Sequence, residues 1–476
     1  MISPRREALR IFFSSWVSKI GIALLVILLI FSIYALAAFP PEYGKLVWNN
    51  PKAWENYPKS VPPSWVNLFA ESKYFEHKIL ESREPVTFRS PDGAIKMIYY
   101  FDLDYDADEF PKFFSMLIKD VTYWKSPPAI TLRLLRPDGK AAELASFMVS
   151  SPREGESPPY TRYREEPFIL KIDSDVNVWR SLSSFIKDNY GLMFSPSEIG
   201  RNPERFIFGS PAEGNFSTPL KGRYRFEVSV TAYDGRDSVG RISLILGGSV
   251  YGLLGTDVIG RDVATGVLLG FPTSLFIGII TSVIVTILGC LLGIIGGFFG
   301  GKTDEVVQRT SDIVYNLPLL PLTIFLIFLM GSSIWNIVLL LVVFGWPGLA
   351  IVTRSIALQL REAPFIEAAK SFGSSPWRII FRHMLPQVTP FIVAQMIFYV
   401  PTFILLEAAL SFLGLGDPSL PTWGQMLELG FRNGAIYLGL WWWIIPPGVM
   451  IVLTAFTFVL IALGMEPVVN PRLRTG

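Results

Sequence analysis

The sequence predicts a mainly α membrane protein with six transmembrane helices and a large β-rich (α+β) extracytoplasmic domain inserted between helices 1 and 2. Three observations carry that expectation. Half of the 476 residues are hydrophobic, yet 17% are charged. With a mean hydropathy of +0.40, the chain is too apolar for an ordinary soluble protein and too charged for one that is all membrane. Apolar runs of spanning length occur near the start and again after Asp262, while the stretch between them has none. That central stretch carries the turn signals of paired strands.

The elements follow in chain order. Arg5, Arg6, Arg10 and Lys19 precede an uncharged run from Ile20 to Phe39 that ends at Pro40-Pro41. About 20 apolar residues make one transmembrane helix. The apolar core of a signal peptide is shorter, about 7–15 residues, so Ala35-Leu36-Ala37 reads as part of an uncleaved first span. Residues 1–39 form the first segment, 40–249 the β-rich domain and 250–476 a second membrane region.

Within 40–249, Pro91-Asp92-Gly93, Pro137-Asp138-Gly139 and Asp234-Gly235 each lie between β-rich runs. Asp-Gly in that setting is a hairpin signal. Arg223 to Ala232 alternates, with Tyr224, Phe226, Val228 and Val230 on one face. Helices are expected at Glu109 to Lys119 and at Val178 to Tyr190. Asp102, Asp104, Asp106 and Asp108 would share a strand face. A calcium loop needs Gly at its sixth position and Glu at its twelfth, whereas this stretch has Ala107 and Phe113, so a solvated acidic face is the expectation. Asn215-Phe216-Ser217 is a glycosylation sequon.

Beyond Asp262, spans are expected at Phe271 to Gly301, at two segments of Ile313 to Thr353 divided by Gly331-Ser332-Ser333, at Val388 to Leu406, and at Gly434 to Met465. Short-loop Lys and Arg set orientation. Lys302, Arg309, Arg354, Arg361, Lys370, Arg378, Arg382, Arg472 and Arg474 fall on the side of the N-terminal segment. The opposite loops carry only Arg432. Both termini are therefore expected in the cytoplasm, with residues 40–249 outside a cell membrane. Net charge is +2, which gives no reason to expect a nucleic-acid partner. The single cysteine, Cys290, excludes an intrachain disulfide, and two histidines are too few for a Cys/His zinc centre.

The polar loop 361–386 is the most informative stretch. A helix starting near Ala363 would present Glu367 and Lys370 on one side, with Ala368 and Ala369 allowing close approach of a partner. Gly373 and Pro376 would break it, and a second short helix, Trp377 to Met384, would end before Pro386. Two short helices with a bend make a peg that fits a groove. The pattern Glu367-Ala368-Ala369, Gly373, then Leu385-Pro386 resembles the E-A-A coupling loop of ATP-driven import permeases, with His383 on the same surface. Gly255-Thr256-Asp257 with Gly260-Arg261-Asp262 resembles the L-G-T-D-x-x-G-R-D motif of the oligopeptide/dipeptide permease family, "C"-type subunit. Glu407, Ser411, Gly414, Gly416 and Trp423 fit that family's E-x-x-L-S-F-L-G-L-G…W-G signature, near the external gate. Gly300-Gly301 with Asp304 and Asp312, Pro318, and Trp346-Pro347-Gly348 fit as well. The resemblance covers residues 1–40 and 250–476. Family members have a short outer segment where this chain has a domain, and Leu463 to Glu466 followed by Asn470-Pro471-Arg472 matches the family's ending only loosely.

The resemblance implies an ABC importer permease fold and a transport subunit that is not itself an enzyme. It implies a heterodimer with a second permease, two cytoplasmic ATPase subunits that hold ATP and Mg, and an extracellular substrate-binding protein. No cofactor or metal is expected on this chain, and membrane lipid surrounds it. Peptide is the family's usual substrate, with oligosaccharide or nickel as alternatives. A membrane receptor with an extracellular sensory domain is the competing class; it predicts a cytoplasmic signalling domain, and only a few residues follow Met465. The residues leave open whether Glu407 is functional or a structural hydrogen-bond partner of the turn after it. They also leave open whether the outer domain docks the binding protein, roofs the gate or serves stability. Gly296 to Thr303, GGFFGGKT, formally matches a phosphate-binding loop. That chemistry needs a strand before the loop, and a transmembrane helix is expected there instead.

Overall fold

The structure is a computed structural model that describes residues 10–81, 84–89, 94–212 and 214–469. Arg5, Arg6, the Pro91-Asp92-Gly93 turn, Arg472, Arg474 and the Asn470-Pro471-Arg472 ending lie outside the described residues. In chain order come helix α1 (Trp16–Ala38), strands β1 (Lys78–Glu81), β2 (Val86–Arg89), β3 (Ile95–Tyr105), β4 (Phe114–Tyr123), β5 (Ala129–Leu135), β6 (Ala141–Met148), β7 (Tyr160–Arg162) and β8 (Phe168–Lys171), helix α2 (Val176–Tyr190), and strands β9 (Gly222–Ala232) and β10 (Ser238–Leu246). The remainder is helical: α3 (Val263–Phe299), α4 (Gly301–Tyr315), α5 (Leu319–Met330), α6 (Ile334–Arg361), α7 (Pro364–Ser371), α8 (Leu385–Phe412), α9 (Trp423–Arg432) and α10 (Trp441–Val469). The chain divides into two compact units, residues 54–260 and the two flanking segments 1–53 and 261–476.

The unit 54–260 holds two five-stranded antiparallel sheets, ordered β1-β10-β4-β7 with β8 also on β4, and β2-β3-β9-β5-β6. Alternation builds the shared core. Tyr224, Phe226, Val228 and Val230 of β9 are fully buried, as the pattern predicts, and meet Phe114, Met116 and Ile118 of β4. Helix α2 adds Val178, Leu182 and Ile186. It starts where Asp175 accepts from the backbone N–H groups of Asn177 and Val178, and stops where Gly191 turns left-handed at φ 68, the usual start and stop chemistry of a helix.

Three sequence expectations need correction or refinement here. Glu109 to Lys119 is not a helix; most of it is β4, paired on both sides. The spacing of Phe110, Phe113, Phe114 and Leu117 imitates a helical stripe, but Phe114, Met116 and Ile118 alternate inward and pairing overrides local preference. Asp234-Gly235 is a turn but not a hairpin, because β9 pairs with β3 and β5 while β10 pairs with β1 and β4. Of the aspartates, only Asp102 and Asp104 lie on strand β3. Pro137-Asp138-Gly139 does close the β5–β6 hairpin, with the Arg136 N–H donating to the Lys140 carbonyl at 2.9 Å. The strands flanking Pro91-Asp92-Gly93 also pair, Arg89 opposite Ile95.

In the other unit, five helices are long and apolar enough to cross a membrane, or six if the bent pair α4–α5 counts as one broken span. The third expected span is the weak one. Helix α5 has only 12 residues, about 18 Å at 1.5 Å per residue, and an 86° bend separates it from α4. Pro318 disfavours helical geometry in the residue before it. Glycines bring α3 against α6. A side chain on Gly289 would meet the Trp346 carbonyl at 2.8 Å, one on Gly293 would strike Thr353, and one on Gly297 would meet the Arg354 carbonyl at 2.8 Å. Small residues permit such backbone approach in lipid. The Thr353 hydroxyl completes the contact by donating to the Gly289 carbonyl at 3.1 Å.

Candidate functional site

The 361–386 loop follows α6 directly. Pro364 opens α7, where its missing N–H is no loss, and Gly373 ends that turn at φ 74. The Gly373 N–H donates to the Lys370 carbonyl at 2.9 Å and the Ser374 N–H to the Ala369 carbonyl at 3.1 Å, satisfying carbonyls that a helix end otherwise leaves open. Ser375 then caps the next turn, Pro376–Ile379. One face of this bent pair is anchored: Ile366, Ala369, Ile379, Ile380 and Met384 pack in one cluster with Phe298, Ala357 and Cys290. The Lys370 ammonium sits 5.8 Å from the Phe298 ring centre. The opposite face is bare. Glu367, Ala368, Lys370 and Gly373 are exposed, with Phe372 at 89% and Trp377 and Phe381 at about half. Among the described residues, no ion pair involves Glu367. His383 and Leu385 are half-buried and Pro386 is exposed.

One expectation is corrected here. The second short helix does not stop before Pro386. It continues through a wider turn, Ile380–Met384, into α8, giving one helical run from Pro376 to Phe412. Pro386 lies near the start of α8; inside this continuous run it lacks the N–H that would bond the preceding turn, and the wider turn Ile380–Met384 falls just before it. The anchored half of the loop is therefore rigidly joined to a candidate span.

A second cluster gathers around Glu407. This buried carboxylate accepts from the Ser411 hydroxyl at 2.6 Å. The Gly414 N–H donates to the Ser411 carbonyl at 3.0 Å and the Leu415 N–H to the Leu410 carbonyl at 3.0 Å, closing the turn with Gly414 at φ 81. A side chain on Gly416 would meet Ser411 Oγ at 2.5 Å, and one on Gly424 would meet the Ala408 carbonyl at 2.7 Å. Trp423 is fully buried and donates from Nε1 to the Val267 carbonyl at 2.9 Å. It packs edge-on against Phe271 over Gly270, whose missing side chain leaves the room.

The L-G-T-D-x-x-G-R-D residues straddle the boundary between the two units. In the unit 54–260, the Thr256 hydroxyl donates to the Pro58 carbonyl at 2.8 Å and accepts from the Val61 N–H at 3.2 Å. Asp257 accepts from the Ile259 and Gly260 N–H groups at 2.9 and 3.0 Å. Gly255 and Gly260 have φ 70 and 100, which favours glycine. In the other unit, the buried Arg261 guanidinium lies 4.6 Å from the centre of the Trp48 ring. Asp262 caps α3, accepting from the Ala264 and Thr265 N–H groups, both at 3.2 Å.

The sequence reading did not identify Arg354 as the bidentate partner of Asp304, Trp48 as the ring beneath Arg261, or α9. The α9 signal was present: Thr422-x-x-Gln425 is half of a capping box, and the Gln425 N–H donates to Thr422 Oγ1 at 3.3 Å. At GGFFGGKT, Gly296 and Gly297 lie inside α3 and Lys302 inside α4, so a helix, not a strand, precedes the Gly-Lys.

Residues 286–475 match the family described as "Binding-protein-dependent transport system inner membrane component". A dipeptide transport system permease protein of Bacillus subtilis is 36% identical over 221 residues, which are 46% of this chain and 68% of the relative. An oligopeptide transport system permease protein of the same organism is 34% identical over 221 residues, 46% of this chain and 72% of the relative. A glutathione transport system permease protein of Pectobacterium atrosepticum is 33% identical over 223 residues, 47% of this chain and 73% of the relative.

Proposed function

Because this chain belongs to the family of binding-protein-dependent transport system inner membrane components, as a multi-pass permease of the oligopeptide/dipeptide "C" type, we propose that it forms half of the translocation pathway of an ATP-driven importer of peptides. The observation that carries the mechanism is the two-faced loop 361–386. Its inner face is packed into the helices through Ile366, Ala369 and Ile379, and its outer face offers Glu367, Ala368, Lys370 and Phe372 to a partner. A large exposed apolar side chain such as Phe372 fits an interface anchor.

The partner is one of two cytoplasmic ATPase subunits, which hold ATP and Mg. ATP binding closes the ATPases, and the seated loop carries that motion into α6 and into the helical run that ends as α8. The pathway then alternates between outward and inward openings, a two-state change biased by the nucleotide. A second, related permease supplies the other half. Lys and Arg distribution supports cytoplasmic termini and residues 40–249 outside, between the first and second spans. The outer domain docks the substrate-binding protein; full uptake at low substrate after replacing residues 54–260 by a flexible linker would refute this. Oligosaccharide or nickel are alternative cargoes.

Purification of the tagged chain from its native membrane, followed by mass spectrometry, tests the assembly. The expected result is a second permease plus ATPase subunits. The chain alone, or with a signalling partner, would overturn it.

A further inference from the structure

A half-open groove of about 590 Å³ lies within the membrane unit, walled by α1, α3, the start of α6 and the Leu420-Pro421 turn. No charged side chain lines it. On α1 it runs from Leu29 to the end of the helix and on to Pro41; on α3 it runs from Leu269 to Ile280. At 1.5 Å per residue these stretches span about 14 and 16 Å, each about half of a 30 Å hydrocarbon core. Leu29 lies near the middle of α1 and Phe39 just past its end, so the groove extends from mid-bilayer to one interface. Trp335, 64% exposed, stands at its rim edge-on to Phe276, a placement suited to an interfacial tryptophan.

We propose that this groove holds one acyl chain of a membrane phospholipid, taken from the outer leaflet under the orientation argued above. Size selects the occupant. Sixteen carbons at roughly 30 Å³ each, about the liquid share of one water, fill about 480 Å³. A helix about 10 Å across needs roughly 1,200 Å³ over the same length, so a partner's helix could lie across the mouth of this groove but not fill it. Depth agrees, since the groove is one leaflet long. The groove also opens beside side chains that face lipid: Leu36 lines it and is 67% exposed, with Ile33 at 65% and Ile30 at 58% on the same helix. Pro272, in the groove wall, withdraws one backbone hydrogen bond from α3 there. An apolar groove facing hydrocarbon has no competing water, and lining atoms without neighbours forfeit dispersion contacts.

The inference rests on these helices spanning the bilayer, which resistance to carbonate extraction checks separately. The assembled complex is reconstituted in vesicles that contain phosphatidylglycerol with a photoactivatable diazirine midway along one acyl chain. Adducts are mapped by mass spectrometry. The expected result is enrichment in peptides covering 29–44 and 269–280. It is reduced in Thr273→Phe, which narrows the groove, and kept in Ile33→Phe, which adds the same ring on the exposed side. Groove adducts no richer than those around Val452 and Phe456, exposed residues of α10, would overturn the proposal. So would a groove peptide cross-linked to the second permease. If Thr273→Phe fails to assemble, the wild-type map alone decides.

Discussion

Glu407 and Ser411 lie one turn apart on α8, both buried, and the Ser411 hydroxyl donates to the Glu407 carboxylate at 2.6 Å. The Thr422 hydroxyl bonds the same carboxylate, and Thr422 also caps α9. The acid therefore ties the end of a span to the turn and helix that follow it.

Glu407→Gln keeps one acceptor oxygen and offers its NH2 to a hydroxyl oxygen that can turn to accept, so stability in detergent and uptake are expected to stay near wild type. Glu407→Ala leaves them without their acceptor and is expected to cost about 1–3 kcal/mol, seen as a lower unfolding midpoint. A Gln variant that is stable yet inactive would instead make Glu407 a functional ioniser.

At the loop, Gly373 holds φ 74 with open space where a side chain would stand. Gly373→Ala is expected to strain the backbone by about 1–2 kcal/mol and reduce uptake, whereas Gly373→Trp adds bulk on the partner-facing side and abolishes it. Membrane insertion stays normal in both, measured by quantitative blotting of membranes. Wild-type uptake by Gly373→Trp would remove the bend from the coupling account.

The α3–α6 contact is close enough to test by one methyl group. Gly293→Ala points its Cβ at Thr353 Oγ1, so assembly with the second permease is expected to fall, read by co-purification yield. Gly301→Ala is a useful contrast, because nothing lies near its Cβ and only its φ of 56 is strained.

His77 in the unit 54–260 is buried against Tyr57 and Tyr251, and that burial lowers its pKa from 6.5 to about 4. Above pH 6.5 it is neutral folded and unfolded, so it adds no pH dependence. As pH falls from 6.5 to 4 only the unfolded chain takes the proton, and the domain loses up to about 3 kcal/mol. Glu204 acts oppositely: burial raises it to about 7, and its contribution is lost as pH rises from about 4.5 to 7. The difference between wild type and His77→Phe isolates the histidine. Hydrogen exchange of residues 54–260 should show that difference growing only below pH 6.5; a flat difference would contradict it.

Legibility followed the kind of signal. Spans were readable because a bilayer demands about 20 apolar residues in a row, and β9 because Tyr224 to Val230 alternate without a break. The β4 strand was not, since its aromatic spacing fits two periods and only pairing with β10 and β8 decides. The loop 361–386 was legible as a motif, but its continuity through Pro386 was not, because an interior proline ordinarily signals a helix break. Contacts between segments distant in sequence, such as Arg354 with Asp304 or Arg261 with Trp48, leave no local signature.

Coupling through Glu367 is the central claim, and a cross-link tests it most directly. A photoreactive amino acid placed at residue 367 in the assembled complex is expected to capture the ATPase subunit. The same group at Ser333, in a loop assigned to the opposite side of the membrane, should not. Uptake should also vanish in Glu367→Arg at normal insertion. Capture of lipid alone at residue 367, or of the ATPase equally at both positions, would contradict the account.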